Sequence, residues 1–92
     1  MNKSHITENY IIVKDQFGNK TWYTNNGKYN EYHREDGPAV EYANGDKEWF
    51  INDLRHRIDG PAIEYADGSI QYWINDKRYR SLEEGLMDLA LE

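Results

Sequence analysis

A repeated stretch constrains the fold more than any other feature of the sequence. Residues 33–55 read HREDGPAVEYANGDKEWFINDLR, and residues 56–78 read HRIDGPAIEYADGSIQYWINDKR. A period of this length typically builds one supersecondary unit, and such units stack on one another. We therefore predict a single domain over residues 1–92, with a degenerate repeat at 10–32, repeats at 33–55 and 56–80, and a cap at 81–92.

Each unit carries two short strand patterns joined by a turn sequence. Asn44-Gly45 and Asp67-Gly68 are typical of two-residue type I′ turns, and Asn52-Asp53 marks the opposite turn. The predicted fold class is all-β with a C-terminal helix, in which an antiparallel sheet is made of stacked β-hairpins. With two-residue turns, side-chain alternation places Val40 opposite Trp49 on one face.

This register predicts how the apolar residues divide between the two faces of the sheet. One face is expected to carry Val13, Val40 and Ile63 beside Trp22, Trp49 and Tyr72. The reverse face is expected to carry Tyr23, Phe50 and Trp73 beside Ile12, Ala39 and Ala62. A slip of one residue would exchange these positions between the faces.

The C-terminal segment has a helical pattern. Ser81-Leu82-Glu83-Glu84 is a capping box, with Ser81 as the N-cap residue. Apolar residues at Leu82, Leu86, Leu89 and Ala90 follow helical spacing. We predict a helix over 82–91 that covers one apolar row at the C-terminal end of the sheet; the pattern leaves open which face it covers.

The repeated signature resembles the MORN repeat in its bacterial and phage variant. The matching residues of the clearer copy are Trp49, Asn52, His56, Gly60, Pro61, Ala62, Tyr65 and Gly68. Those of the earlier copy are Trp22, Asn26-Gly27, His33, Gly37, Pro38, Ala39, Tyr42 and Gly45. The chain departs from the family pattern where Asn-Asp replaces the Asn-Gly turn and where an arginine follows each histidine. The resemblance implies stacked hairpins, no enzyme activity, and a scaffold, antitoxin-like or counter-defence role.

Composition limits the classes of function. The chain has no cysteine, which excludes disulfides, zinc-thiolate sites and thiol nucleophiles. A net charge of −6 argues against a general nucleic-acid binder and is compatible with a basic protein partner. The chain has no long apolar run, so we expect neither a signal peptide nor a membrane span, and we expect a cytoplasmic location.

The histidines and the Asp-Gly-Pro aspartates invite a catalytic or metal-binding interpretation. His33 and His56 occupy the same place in each repeat, as do Asp36 and Asp59. A repeated position more often has a structural role, and Asp-Gly-Pro is a turn sequence. We therefore expect no catalytic residues, no metal site and no cofactor.

The favoured function is a small acidic binding module that engages a protein partner through an aromatic and acidic face of the sheet. Aromatic side chains on an exposed sheet are suited to be binding hot spots, and a homodimer that buries them is a further interpretation. The 29–32 segment looks like an insertion and adds exposed residues. The candidate protein-binding residues are Tyr23, Phe50, Trp73, Glu48, Glu31 and Tyr32.

The alternative function is a nucleotide- or RNA-binding module. Basic residues follow the Asn-Asp turns and are expected to cluster at one end of the domain, where they could hold an anion. The candidate anion-binding residues are Arg55, Arg57, Lys77, Arg78, Arg80 and His56.

Overall fold

A computed structural model describes residues 3–26 and 30–91, which form an eight-stranded antiparallel sheet, a separate two-stranded hairpin and one short helix. The strands are β1 (Lys3–Ile6), β2 (Tyr10–Lys14), β3 (Lys20–Thr24), β4 (Val40–Glu41), β5 (Lys47–Glu48), β6 (Phe50–Ile51), β7 (Leu54–Arg55), β8 (Ile63–Glu64), β9 (Ile70–Ile74) and β10 (Lys77–Tyr79). The helix α1 spans Leu82–Ala90. The predicted fold class, all-β with a C-terminal helix, is confirmed.

The strands follow one another across the sheet almost in chain order. Eight of them pair in the order β1-β2-β3-β4-β5-β8-β9-β10, and β6 and β7 form a separate hairpin. The molecule measures 43 × 33 × 16 Å, so it is little more than one sheet thick over most of its area. Both faces of the sheet therefore lie close to solvent wherever α1 does not cover them.

The predicted two-residue turn at Asn44-Gly45 is wrong. The Tyr42 N–H donates to the Asp46 carbonyl at 2.9 Å, which leaves three residues in the loop rather than two. Gly45 takes the left-handed conformation with φ 101°. This is the three-residue hairpin loop that ends in a left-handed glycine. Tyr65 and Ser69 close the equivalent loop in the next unit at 2.9 Å.

The two-residue type I′ turns lie at the opposite end of the hairpins. Asn52 and Asp53 have φ values of 48° and 69°, and Asn75 and Asp76 have 49° and 68°. Positive φ at both central positions defines the type I′ turn, which matches the twist of the flanking strands. Asn and Asp adopt this conformation more readily than other residues that have a side chain, so the turns form without glycine.

The longer loop changes which residues share a face. Val40 pairs with Glu48 rather than with Trp49, and Glu48 pairs in turn with Ile63. The predicted division of the faces is therefore wrong, because one additional loop residue shifts the register by one. Val13, Val40 and Ile63 lie with Tyr23, Phe50 and Trp73, whereas Ile12, Ala39 and Ala62 lie with Trp22, Trp49 and Tyr72.

We call the two sides of the sheet the aromatic face and the helix face. The aromatic face carries Tyr23, Tyr32, Phe50 and Trp73, and the helix face carries Trp22, Trp49, Tyr72 and Ile74. Helix α1 packs on the helix face at β9 and β10. A Cβ atom added at Gly85 would lie 2.8 Å from Ile74 Cδ1, so the glycine allows a close approach.

The helix begins as predicted but faces the sheet differently. The Glu84 N–H donates to Ser81 Oγ at 3.1 Å, which confirms Ser81 as the N-cap. Gly85 is the buried residue of α1, whereas Leu86 and Ala90 are exposed. The predicted inward stripe is therefore correct only in part: Leu82 and Leu89 are half-buried on either side of Gly85, whereas contact through Gly85 turns Leu86 and Ala90 towards solvent. Within residues 3–26 and 30–91, no helix has the length and apolar character needed to cross a bilayer.

Candidate protein-binding face

A row of four rings and one guanidinium group crosses the aromatic face from strand to strand. The ring centroids of Tyr23 and Tyr32 lie 5.4 Å apart, and those of Tyr32 and Phe50 lie 5.2 Å apart. The Arg55 guanidinium carbon then lies 5.3 Å from the Phe50 ring and 5.3 Å from the Trp73 ring. We call these five side chains the aromatic ladder. Contacts at these distances are favourable for ring pairs and for cation–π pairs.

The type I′ turns place alternate members of the ladder. The Asp53 N–H donates to the Tyr32 carbonyl at 2.8 Å, and the Tyr32 N–H donates to Asp53 Oδ1 at 3.2 Å. Asp76 holds Arg55 in the same way, at 2.8 and 3.3 Å. Tyr32 therefore occupies the position that Arg55 occupies one unit later. Of the predicted 29–32 insertion, Tyr29 lies outside the described residues.

Glu48 lies beside the ladder, and both of its carboxylate oxygens accept hydrogen bonds. Its Oε1 accepts from Arg55 Nε at 3.0 Å and from Arg55 Nη2 at 2.9 Å. Its Oε2 accepts from the Tyr42 hydroxyl at 2.6 Å. Burial, followed by the hydrogen bond to the Glu48 carboxylate, raises the pKa of Tyr42 to about 12. The Glu48 side chain is only 12% exposed, so it anchors the ladder rather than presenting a free negative charge.

A shallow depression of about 390 Å³ opens on this face next to the ladder. Val40 and Phe50 are buried beneath it, whereas Tyr32 and Tyr42 are exposed at its sides. The Glu48–Arg55 pair contributes polar groups to its lining. An apolar floor with a tyrosine-rich polar rim is typical of the centre of a protein-binding surface.

The predicted protein-binding residues have different accessibilities. Tyr32 is 38% exposed, whereas Phe50 is 8% exposed and belongs to the core. Trp73 is half-buried, and its Nε1–H donates to Gln71 Oε1 at 2.9 Å. Burial is the main cause that raises the pKa of Tyr23. Glu31 is half-buried and pairs with Thr24 through its backbone, at 2.8 and 3.1 Å.

The predicted anion cluster is divided between the two faces. Arg55 lies in the ladder, whereas Arg57 lies on the helix face, 3.9 Å above the Trp49 ring. Arg57 Nε donates to Asp59 Oδ1 at 3.0 Å, and Nη1 donates to Glu64 Oε2 at 2.9 Å. Both guanidinium groups therefore have carboxylate partners, and they point away from each other.

The remaining members of the predicted cluster lie near the C-terminal edge of the sheet. Lys77 Nζ lies 3.1 Å from Asp88 Oδ2 of α1, and the hydrogen bond from Tyr79, followed by Lys77, lowers the pKa of Asp88. Arg78 and Arg80 are exposed and line a depression of about 500 Å³ at β9 and β10. His56 Nδ1 accepts from the Asn75 N–H at 3.0 Å, and burial lowers the pKa of His56.

The repeated His-Arg motif has a structural role that the sequence analysis did not identify. Arg34 lies 3.9 Å above the Trp22 ring and bonds Asp36 Oδ1 at 2.9 Å, as Arg57 does with Trp49 and Asp59. His33 Nδ1 accepts from the Asn52 N–H at 2.9 Å. Both copies contain the motif Arg-x-Asp-Gly-Pro, and this recurrence in the sequence could have indicated the role of the arginine.

Comparisons with protein-family models, with curated proteins and with solved structures gave no match. The function is therefore argued from the geometry of the two faces.

Proposed function

We propose that the chain is a small non-enzymatic binding module that engages a protein partner through the aromatic face. The observation that carries this proposal is the aromatic ladder, which crosses a face that α1 leaves uncovered. Large, rigid rings with polar tips provide contact area at low cost in conformational entropy. The Tyr32 and Tyr42 hydroxyl-bearing rings flank the 390 Å³ depression, which suits insertion of a partner side chain.

The overall charge supports a protein with a basic surface as the partner. The chain carries a formal net charge of −6, which would accelerate encounter with a basic partner and disfavour acidic ones. An inhibitor, antitoxin-like or counter-defence role in the cytosol is part of the proposal and rests on the resemblance to MORN repeats. Because neutralisation of a target requires only binding, this role fits a chain whose repeated His and Asp residues have structural partners.

The alternative, a nucleotide- or RNA-binding module, stays a prediction. Arg78 and Arg80 are the exposed arginines of the proposed set, whereas Arg55 and Arg57 pair with carboxylates. An anion held by two arginines at an exposed edge would bind weakly in an acidic protein, and its binding would fall steeply with added salt.

The test compares Tyr32→Ala with Phe17→Ala. Phe17 is an exposed ring at a hairpin tip, 71% accessible, and so is a matched control away from the ladder. Immobilised protein captures its partner from a lysate of the cells in which it acts, and the purified partner is then titrated against each variant. We expect Tyr32→Ala to raise the Kd by about tenfold or more, because loss of a central ring typically weakens binding by that amount. Phe17→Ala should leave the Kd nearly unchanged.

Two results would argue against the proposal. If Tyr32→Ala and Phe17→Ala bind the partner equally well, the ladder is not the contact surface. If the captured species is RNA or a nucleotide, and if its release follows salt concentration and Arg78→Ala, the alternative function replaces the one proposed.

A further inference from the structure

A groove of about 800 Å³ lies on the helix face, outside the surface used by the proposed function. Trp49, Ile51 and Ile58 supply its apolar lining, and the Arg34–Asp36 and Arg57–Asp59 pairs border it. Ile58 is 53% exposed although it is a large aliphatic residue. Its equivalent one unit earlier is Glu35, so the apolar character here is particular to this groove.

The packing of α1 shows that this part of the helix face can be covered by a helix. Ile74 is the equivalent of Ile51, because both precede an Asn-Asp turn. Under α1, Ile74 is 3% exposed and nearly touches Gly85, whereas Ile51 is only half-buried. The same sheet position is thus covered by a helix in the last unit and uncovered in the unit before it.

Helix α1 also exposes apolar side chains on the sides turned away from Ile74. Gly85 faces Ile74, and on the sides turned away from it Leu86 is exposed, Met87 is 62% exposed and Leu91 is 85% exposed. Met87 and Leu91 are four residues apart and so lie on one side of the helix, and Leu86 flanks them. These three residues form the exposed apolar stripe of α1. A single chain therefore carries both an unoccupied apolar groove and an unpartnered helical stripe, on the same face.

We propose that two copies of the chain associate through their helix faces, so that the Leu86/Met87/Leu91 stripe of each copy lies in the Trp49/Ile51/Ile58 groove of the other. A twofold axis that lies between the two surfaces and parallel to the sheets superimposes the helix of one copy on the groove of the other. Such an isologous interface closes on itself and does not polymerise. The product is a sheet–helix–sheet sandwich with both aromatic faces outermost.

The two faces of the sheet expose different types of residue. The helix face and α1 expose aliphatic side chains, namely Leu54, Ile58, Ile70, Leu86 and Met87. Between β3 and β9 the aromatic face exposes tyrosines, namely Tyr32, Tyr42 and Tyr65, and its exposed aliphatic residue Ile6 lies at the far edge, on β1. Permanent homodimer interfaces are more apolar than interfaces with exchanging partners, which favour tyrosine. A second copy therefore fits the helix face better than a foreign partner does.

The test measures mass in solution for Met87→Glu and Ile58→Glu, with Phe17→Glu as a matched control for placing a charge at an exposed apolar position. Light scattering on a sizing column, over the micromolar range, should give about twice the 10.9 kDa chain mass for the natural sequence and for Phe17→Glu. Met87→Glu and Ile58→Glu should each run as monomers with unchanged circular dichroism. A monomeric natural chain at the highest concentration, or a dimeric Met87→Glu, would overturn the proposal.

Cysteine pairing tests the geometry directly and does not depend on the effects of an added charge. The natural chain has no cysteine, so Met87→Cys and Ile58→Cys can be prepared as separate proteins, each with one thiol. When the two are mixed, a short bis-maleimide should join them between copies. A mixture of Met87→Cys with Phe17→Cys should give no comparable product. Equal yields in the two mixtures would contradict the proposed interface.

Discussion

Gly60 provides a stringent test of the arginine–tryptophan packing on the helix face. A Cβ atom at this position would lie 2.7 Å from Arg57 Cζ, closer than real contacts of this kind. Arg57 cannot easily move away, because it lies 3.9 Å above Trp49 and bonds Glu64 and the Pro61 carbonyl, at 2.9 and 3.0 Å. Gly60→Ala should therefore force the guanidinium off the indole ring.

The magnitude follows from what the displaced guanidinium loses. Overpacking a well-ordered contact and losing a partly buried cation–π pair together should lower the free energy of unfolding by about 2 kcal/mol. For a domain of this length, that corresponds to a decrease in Tm of roughly 10 °C. The equivalent Gly37→Ala, whose Cβ would lie 2.9 Å from Arg34 Cζ, should have a similar but slightly smaller effect.

Urea and thermal unfolding at one fixed protein concentration, followed by tryptophan fluorescence, measure the effect. The control places Gly60→Ala in an Arg57→Met background, where no guanidinium group remains to be displaced. There the same substitution should cost less than about 0.5 kcal/mol, which makes the two positions strongly coupled. The reasoning is refuted if Gly60→Ala is neutral in the natural chain, or if it is equally destabilising in both backgrounds.

Two further predictions concern pH. The neutral His56 ring accepts from the Asn75 N–H, and burial lowers its pKa below the ordinary 6.5, so the unfolded chain binds more protons in that window. Stability should therefore fall as pH falls from 6.5 through the lower pKa of the folded state. The urea midpoint should decrease over this pH range in the natural chain and decrease less in His56→Asn. Equal dependence of the urea midpoint on pH in the two proteins would contradict this prediction. Because the pKa of Tyr42 is raised to about 12, stability should also fall as pH rises from 10 towards 12. Alkaline denaturation should be shallower for Tyr42→Phe, and a natural chain that ionises all its tyrosines near pH 10 without losing stability would disprove this role.

The sequence predicted the elements of the fold well and their register poorly. The helix and its Ser81 cap followed from local chemistry, because a capping residue acts on its own first turn. The loop length at Asn44-Gly45 could not be predicted in this way, because the same dipeptide occurs in two-residue type I′ turns and at the end of three-residue loops. The choice depends on the whole sheet: Asp46 Oδ1 accepts from the Ala66 N–H of the neighbouring loop at 2.7 Å, a contact made across units.

The candidate site was likewise predicted only in part from the sequence. Tyr23, Phe50 and Trp73 were placed on one face correctly, because they occupy equivalent positions in successive units and equivalent positions of a stacked repeat share a face. Tyr32 was assigned to an insertion, whereas Asp53 holds it in line with the other rings from 21 residues away. Arg55 and Arg57 were expected to act together. Their separation onto opposite faces follows from packing on Phe50 and Trp49, which no local sequence pattern specifies.

The three tryptophan indoles allow a direct test of the binding face. Trp73 lies in the aromatic ladder, whereas Trp22 and Trp49 lie on the helix face beneath Arg34 and Arg57. Each indole N–H gives a separate signal in a ¹⁵N-correlated NMR spectrum, and the purified partner can be titrated into the labelled protein. If the aromatic face binds the partner, the Trp73 signal shifts or broadens in step with complex formation and the other two stay in place. A shift of the Trp22 and Trp49 signals with Trp73 unchanged would contradict the account.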